Sequence, residues 1–243
     1  ISEKFISKVV EKTKSLRIGN GENPDTDIGP MTTLQQLQTV EAHVEDARRR
    51  GAKILCGGNR IAHGGPISIG EINPAKAGHP KILPGYFYAP TVITEVDHTF
   101  ACVSEETFGP LLPIMTYNDD SQAIQLVNDS QYGLNAYIWT GNIKEGRKMA
   151  AQIRAGTVVI NDCVYTHAIP QTPWGGLKHS GLGRTHGAWG FYELTNLHHI
   201  HINRLTFIKD FWWYPYGEKM IKRLKTLSKY LTGGVVSKLQ SLF

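Results

Sequence analysis

The chain has 243 residues, enough for one large or two small domains. Its 41% hydrophobic and 19% charged residues are an ordinary globular composition that can bury a sizeable core. The net charge of +5 is unevenly placed. Residues 204–243 carry eight Lys/Arg against Asp210 and Glu218, whereas the first 203 residues hold 18 Lys/Arg and 19 Asp/Glu. The basic character therefore belongs to the tail, and the charge of the body gives a nucleic-acid role little support. Cys56, Cys102 and Cys163 lie far apart and form no CxxC pair, which argues against a disulfide framework and fits a reducing, cytoplasmic setting. No run is long and apolar enough to span a bilayer. The sequence opens on Ile1 and enters a helical pattern at once, which reads as the downstream part of a longer chain.

Taken in order, residues 3–16 carry Phe5, Ile6, Val9, Val10 and Leu16 at helical spacing, with Ser2 as N-cap and Gly19 as stop. Residues 20–30 are loop chemistry. Asp25-Thr-Asp27 resembles the start of a calcium loop but has Pro30 and Gln36 where that loop needs Gly and Glu. A second helix is predicted from Thr33 to Arg50, with Leu34, Leu37, Val40, Val44 and Ala47 on one face. A short buried strand follows at Ala52–Cys56, then a long loop over 57–85 with a weak apolar patch at Ile67–Ile72. Tyr86–Val96 reads as a strand broken by Pro90. Beyond it, strands at Leu111–Tyr117, Leu134–Thr140 and Thr157–Asn161 alternate with helices at Asp119–Asn128 and Asn142–Arg154. This alternation predicts an α/β fold, an open and mainly parallel sheet with helices on both faces. After a glycine-rich loop over 162–187 come a short helix, Ala188–Leu194, an alternating strand, Leu197–Asn203, and a helical tail.

Between the strand ending near Glu95 and the apolar run at Leu111 lies Ser104-Glu-Glu-Thr-Phe-Gly-Pro110. The Gly-Pro pair enforces a turn that lifts Glu106 and Phe108 out of the sheet layer. A carboxylate accepts hydrogen bonds from a sugar diol, and a ring packs on a flat heterocycle. Alone, the stretch reads first as an acidic surface loop. Other motifs are weaker. Gly181-Leu-Gly183-Arg-Thr-His186 lacks the third glycine of a dinucleotide fingerprint. His198, His199 and His201 have no further ligand at metal spacing. No cysteine has a base at a recognisable spacing, so no catalytic nucleophile is assigned.

Four stretches match a known pattern in order: Glu105-Glu-Thr-Phe-Gly-Pro110, Tyr132-Gly-Leu134, Ala155-Gly-Thr-Val-Val-Ile-Asn161 and Pro173-Trp-Gly-Gly-Leu-Lys-His-Ser-Gly-Leu-Gly-Arg184. Over roughly residues 3–203 the chain resembles the aldehyde dehydrogenase superfamily. The resemblance implies oxidation of an aldehyde to a carboxylic acid with NAD or NADP: thiolate attack on the carbonyl, hydride transfer to the nicotinamide, and hydrolysis of the resulting thioester. It implies that Glu106 holds the nicotinamide-ribose hydroxyls, that Phe108 packs by the nicotinamide, and that Gln36 approaches the same ribose. It further implies that Trp174, joined by Tyr165, lines the aldehyde tunnel. It also implies a homo-oligomer paired through Leu197–Asn203.

The nucleophilic cysteine, the base glutamate and the Rossmann domain of that family would all precede Ile1. The expected organisation is a partial catalytic domain over 1–187, a helix and oligomerisation strand over 188–203, and a tail over 204–243, inactive in isolation. The alternative is a non-catalytic module that assembles with full-length subunits. The tail departs from the family pattern. Phe211-Trp-Trp-Tyr-Pro-Tyr216 precedes a basic amphipathic segment, Glu218–Leu231. Residues 211–231 suit either an anionic membrane surface, with peripheral attachment, or packing on the body or a neighbouring subunit.

Overall fold

The computed structural model describes residues 1–61, 67–68, 85–208, 213–214 and 216–232. The described chain falls into two compact units, Ile1–Thr195 and Asn196–Phe243.

In the first unit, α1 (Ser2–Ser15) leads into β1 (Arg17–Ile18) and α2 (Leu34–Arg49). The N-cap of α1 is Ile1, without a side-chain bond, and the helix ends at Leu16 in extended backbone, earlier than the expected Gly19 stop. The amphipathic stripe of α2 is buried at Leu37, Val40, Val44 and Ala47, as its spacing dictates, but Leu34 in the first turn is exposed. Thr33 caps the helix, its hydroxyl accepting from the Gln36 N–H at 3.2 Å. The α2 stripe packs with Tyr88, Ile93, Val96, Phe100 and Cys102 in the main core. A second cluster joins Ile18, Ile61, Phe87 and Ala89.

The remaining elements are β2 (Lys53–Cys56), β3 (Ile67–Ser68), β4 (Thr91–Thr94), α3 (Ala101–Ser104), β5 (Leu111–Ile114), α4 (Asp120–Asp129), β6 (Tyr132–Gly133), β7 (Asn135–Ile138), α5 (Ile143–Ala150), β8 (Thr157–Ile160), β9 (Leu177–Lys178) and α6 (Gly187–Glu193). Asp119 and Asn142 cap α4 and α5 by accepting from Gln122 N–H and Glu145 N–H.

The α/β class holds, but the sheet differs from a single, mainly parallel one. Among the described residues it is mixed and divided into a three-stranded sheet, β2-β4-β5, and two-stranded pairs β1-β3, β6-β9 and β7-β8. Pairing is parallel where helical connections return the chain, in β4-β5 and β7-β8, and antiparallel in β1-β3, β2-β4 and β6-β9. Asn161 extends the β7-β8 pair beyond its last residue. Its side-chain oxygen accepts from Thr140 N–H and its amide donates to Thr140 O, both at 2.7 Å. The short helix α3 was not foreseen, because its four residues are too few to show a period. Most of the expected loop over 57–85, with much of the Ile67–Ile72 patch, lies outside the described residues.

The second unit contains α7 (Glu218–Thr232). The strand expected at Leu197–Asn203 does not form: no ladder includes these residues and all are exposed. The backbone is still extended enough for the His199 and His201 rings to stack 6.3 Å apart, as period-two alternation requires. A strand needs a partner for its N–H and C=O groups, and no described segment supplies one.

Candidate active site

Residues 105–110 owe their position to α2. His43 sits on the buried face of that helix, 5% exposed. Its Nδ1 lies 2.6 Å from Thr107 Oγ1 and its Nε2 3.3 Å from Glu105 Oε2. An ionised carboxylate only accepts, so Nε2 donates to Glu105 and, in the neutral ring, Nδ1 accepts from the Thr107 hydroxyl. Gly109 completes the seat: a Cβ there would lie 2.3 Å from Val40 Cγ2. Leu111 N–H donates to Gly109 O and Thr91 N–H to Pro110 O, both at 2.8 Å, tying the far end to β4 and β5. With Glu105, Thr107 and Gly109 turned toward α2, the intervening Glu106 and Phe108 point the other way. Both are exposed, Phe108 at 65%.

Glu106 opens onto a cavity of about 510 Å³ lined also by Tyr132, Gly133, Arg154, Ala155 and His179. The four stretches singled out in the sequence thus meet at one place. Glycine lets their backbones approach. A Cβ on Gly156 would lie 1.7 Å from Gly175 O, a contact no side chain survives. Ser180 Oγ accepts from Gly133 N–H at 2.9 Å. Lys178 reaches the carbonyls of Asn128 and Ser130 at 2.9 and 2.7 Å, placing a cation at the C-terminal end of α4.

The other sequence candidates lie apart from this cavity. Gln36 is half-buried at the start of α2, where its side-chain oxygen accepts from Thr32 N–H at 3.2 Å. Tyr165 is exposed at the start of a 3-10 turn, Tyr165–Ala168. The same turn carries His167, whose ring sits 4.6 Å from the Trp174 ring and 5.0 Å from that of His186. Trp174 and Thr185 exchange backbone hydrogen bonds of 2.9 and 2.8 Å, which holds the three rings together. Trp174 Nε1 and His186 Nδ1 are buried without a partner among the described residues. His186 also adopts φ 66°, ψ 160°, a region that L side chains rarely occupy. Buried unpaired polar atoms and backbone strain concentrate at functional sites.

His43, His167 and His186 were missed in the sequence. His43 had left a signal, a histidine inside the apolar stripe of α2. The other two had none, since their meeting depends on loop closure across a long separation. The cysteines remain apart from the cavity. Cys56 and Cys102 are buried, and burial pushes both thiols up. Cys163 is exposed, and its N–H donates to Asp162 at 2.7 Å.

Residues 1–200 match the model of the aldehyde dehydrogenase family. Betaine aldehyde dehydrogenase of Bacillus subtilis is 34% identical over 203 residues, covering 84% of this chain and 38% of the relative. The 4,4'-diapolycopene aldehyde oxidase of Methylomonas sp. is 33% identical over 233 residues, covering 94% of this chain and 38% of the relative. A match of that span cannot stop short of α7. Among solved structures, the Mycobacterium tuberculosis aldehyde dehydrogenase complexed with NAD+ superposes with a TM-score of 0.68 at 32% identity, covering 80% of this chain and 36% of that one. The chain spans little more than a third of the length of these relatives.

Proposed function

This chain belongs to the aldehyde dehydrogenase family, and on that premise we propose that it supplies the cofactor-facing and substrate-lining part of a subunit that oxidises an aldehyde to a carboxylic acid. The observation that carries this reading is the meeting of the four family-like stretches at the cavity under Glu106. A nicotinamide dinucleotide, NAD or NADP, accepts hydride in such a subunit, and the residues present fit it. The exposed Glu106 carboxylate is an acceptor for a ribose diol. Phe108 offers an exposed ring held on a clamped loop, suited to packing beside a flat heterocycle. The Gln36 amide nitrogen is left to reach toward the same ribose. Trp174 and Tyr165 line the path of the aldehyde.

In this reading the thiolate nucleophile and its base come from outside these 243 residues. Burial of Cys56 and Cys102 speaks against those two thiols as the nucleophile. The residues alone are inactive, and they act within an oligomer in the cytoplasm. The exposed stretch Leu197–Asn203 finds its ladder partner on another subunit, with Ile200 and Ile202, at 72% and 69% exposure, covered by the pairing. If these residues assemble on a complete subunit without belonging to one, they are a non-catalytic module instead.

The test is aldehyde-dependent reduction of NAD+ and NADP+ by the longest natural chain that contains these residues. Activity that falls at least tenfold in Glu106→Gln, with folding intact, is expected. Activity indifferent to that change contradicts the assignment. A natural chain without activity that co-purifies with a complete dehydrogenase favours the module.

A further inference from the structure

We propose that α7 and the aromatic residues just ahead of it dock the protein on an anionic lipid surface. This inference is independent of the dehydrogenase reading. On α7, Met220, Ile221, Leu224, Leu227 and Leu231 fall on one face at a 3.6-residue period. Lys219, Lys222, Arg223, Lys225 and Lys229 occupy the rest of the circumference, against a single carboxylate, Glu218. Much of the apolar face is open to solvent, with Ile221 at 47% and Leu231 at 67% exposure.

The charges decide what covers that face. A groove on another protein satisfies an apolar stripe but gives no reason for five cations around it. Among the described residues none of the five is paired with a carboxylate. Lys219 and Arg223, and likewise Lys225 and Lys229, stand four residues apart, where like charges repel and weaken an isolated helix. An anionic lipid surface removes that repulsion and takes up the apolar face in the same step. The residues ahead of the helix fit such an interface. The Trp213 and Tyr214 rings stack 5.2 Å apart and are 53% and 60% exposed, and Tyr216 is 63% exposed. Rings with an apolar body and a polar tip settle at the headgroup level. Among the described residues no helix is long and apolar enough to cross a membrane, so the geometry is that of a helix lying in the interface.

The full chain is to be co-sedimented with phosphatidylcholine vesicles, with and without phosphatidylserine, at low and high salt. Binding is expected only with phosphatidylserine, weakening as salt rises, with added helical signal in far-ultraviolet circular dichroism. Each cation removed lowers partitioning about fivefold. Lys222→Glu with Lys225→Glu, and separately Leu224→Asp with Leu227→Asp, should each reduce binding at least about tenfold. Equal binding to neutral vesicles, or binding unchanged by the charge reversal, overturns the proposal. So does absence of vesicle binding, and a change of sedimentation velocity in the Leu224→Asp, Leu227→Asp chain then assigns the face to a second subunit.

Discussion

The Nδ1 atom of His43 lies 2.6 Å from the hydroxyl of Thr107, across 64 residues of sequence. This contact, with the 3.3 Å contact from Nε2 to Glu105, fixes which side of the loop faces α2. It thereby fixes which side presents Glu106 and Phe108.

Replacing His43 by Ala should therefore destabilise the fold by about 2–4 kcal/mol. The change leaves a cavity beside Val40 and Val44 and strands the Thr107 hydroxyl in a partly buried place. Thr107→Val should cost less, about 1–2 kcal/mol, because it removes one hydrogen bond and keeps the volume. Urea unfolding of the variants checks this. Midpoints that match the wild type would mean that His43 does not hold the loop.

Two glycines should fail differently when changed to alanine. At Gly109 the new methyl meets a side chain, Val40 Cγ2 at 2.3 Å, which has room to be trimmed. The expected loss is about 1–3 kcal/mol, and Val40→Ala in the same chain should recover part of it. At Gly156 the methyl meets the backbone oxygen of Gly175 at 1.7 Å. No side-chain change relieves that, so Gly156→Ala should be the more damaging in thermal unfolding, with no rescue from neighbouring side chains.

At His186 the expected sign is reversed. Its backbone, at φ 66° and ψ 160°, is one that glycine occupies readily, and its Nδ1 is buried without a partner. His186→Gly should leave stability unchanged or raise it, by up to about 1–3 kcal/mol. A marked loss in calorimetric Tm would show that the contact between the His186 and His167 rings is worth more than the strain.

The thiols should separate by reactivity. Cys163 is exposed, so a thiol reagent at neutral pH should label one site on the folded chain and three after denaturation. Cys56 and Cys102 have thiols raised by burial. Above the ordinary thiol pKa the unfolded chain therefore releases protons that the folded chain retains, and both groups lower stability as pH rises there. Rapid labelling of all three in the folded protein would contradict their burial.

Much of this was legible in the sequence. The apolar stripe at Leu37, Val40, Val44 and Ala47 announced α2, and Thr33, Asp119 and Asn142 sit where helix starts were expected. Glu106 and Phe108 are exposed, as the expected turn requires, although the side they take is set by His43. The resemblance drew in Tyr132, Ala155 and the stretch around Ser180, which the fold places at one cavity with Glu106. What failed to show was long-range. The seat of the loop depends on His43, 64 residues away from Thr107, and the rings of His167, Trp174 and His186 meet through loop closure, by the Trp174–Thr185 backbone bridge and the bond from Gly187 N–H to Pro170 O. The alternation over Leu197–Asn203 indicates an extended backbone but not a partner for it. Register and sheet division were equally hidden, because β1, β3, β6 and β9 are two residues each, too short for a period to register.

Glu106 is the proposed acceptor for the cofactor's ribose. The direct measurement is calorimetric titration of NAD+ and NADP+ into the longest natural chain carrying these residues, for the wild type and for Glu106→Gln. The predicted result is a dissociation constant at least tenfold weaker in Glu106→Gln for the cofactor that binds, with an unchanged unfolding midpoint, since the carboxylate is exposed. Equal affinity in the two proteins would contradict the assignment of this loop.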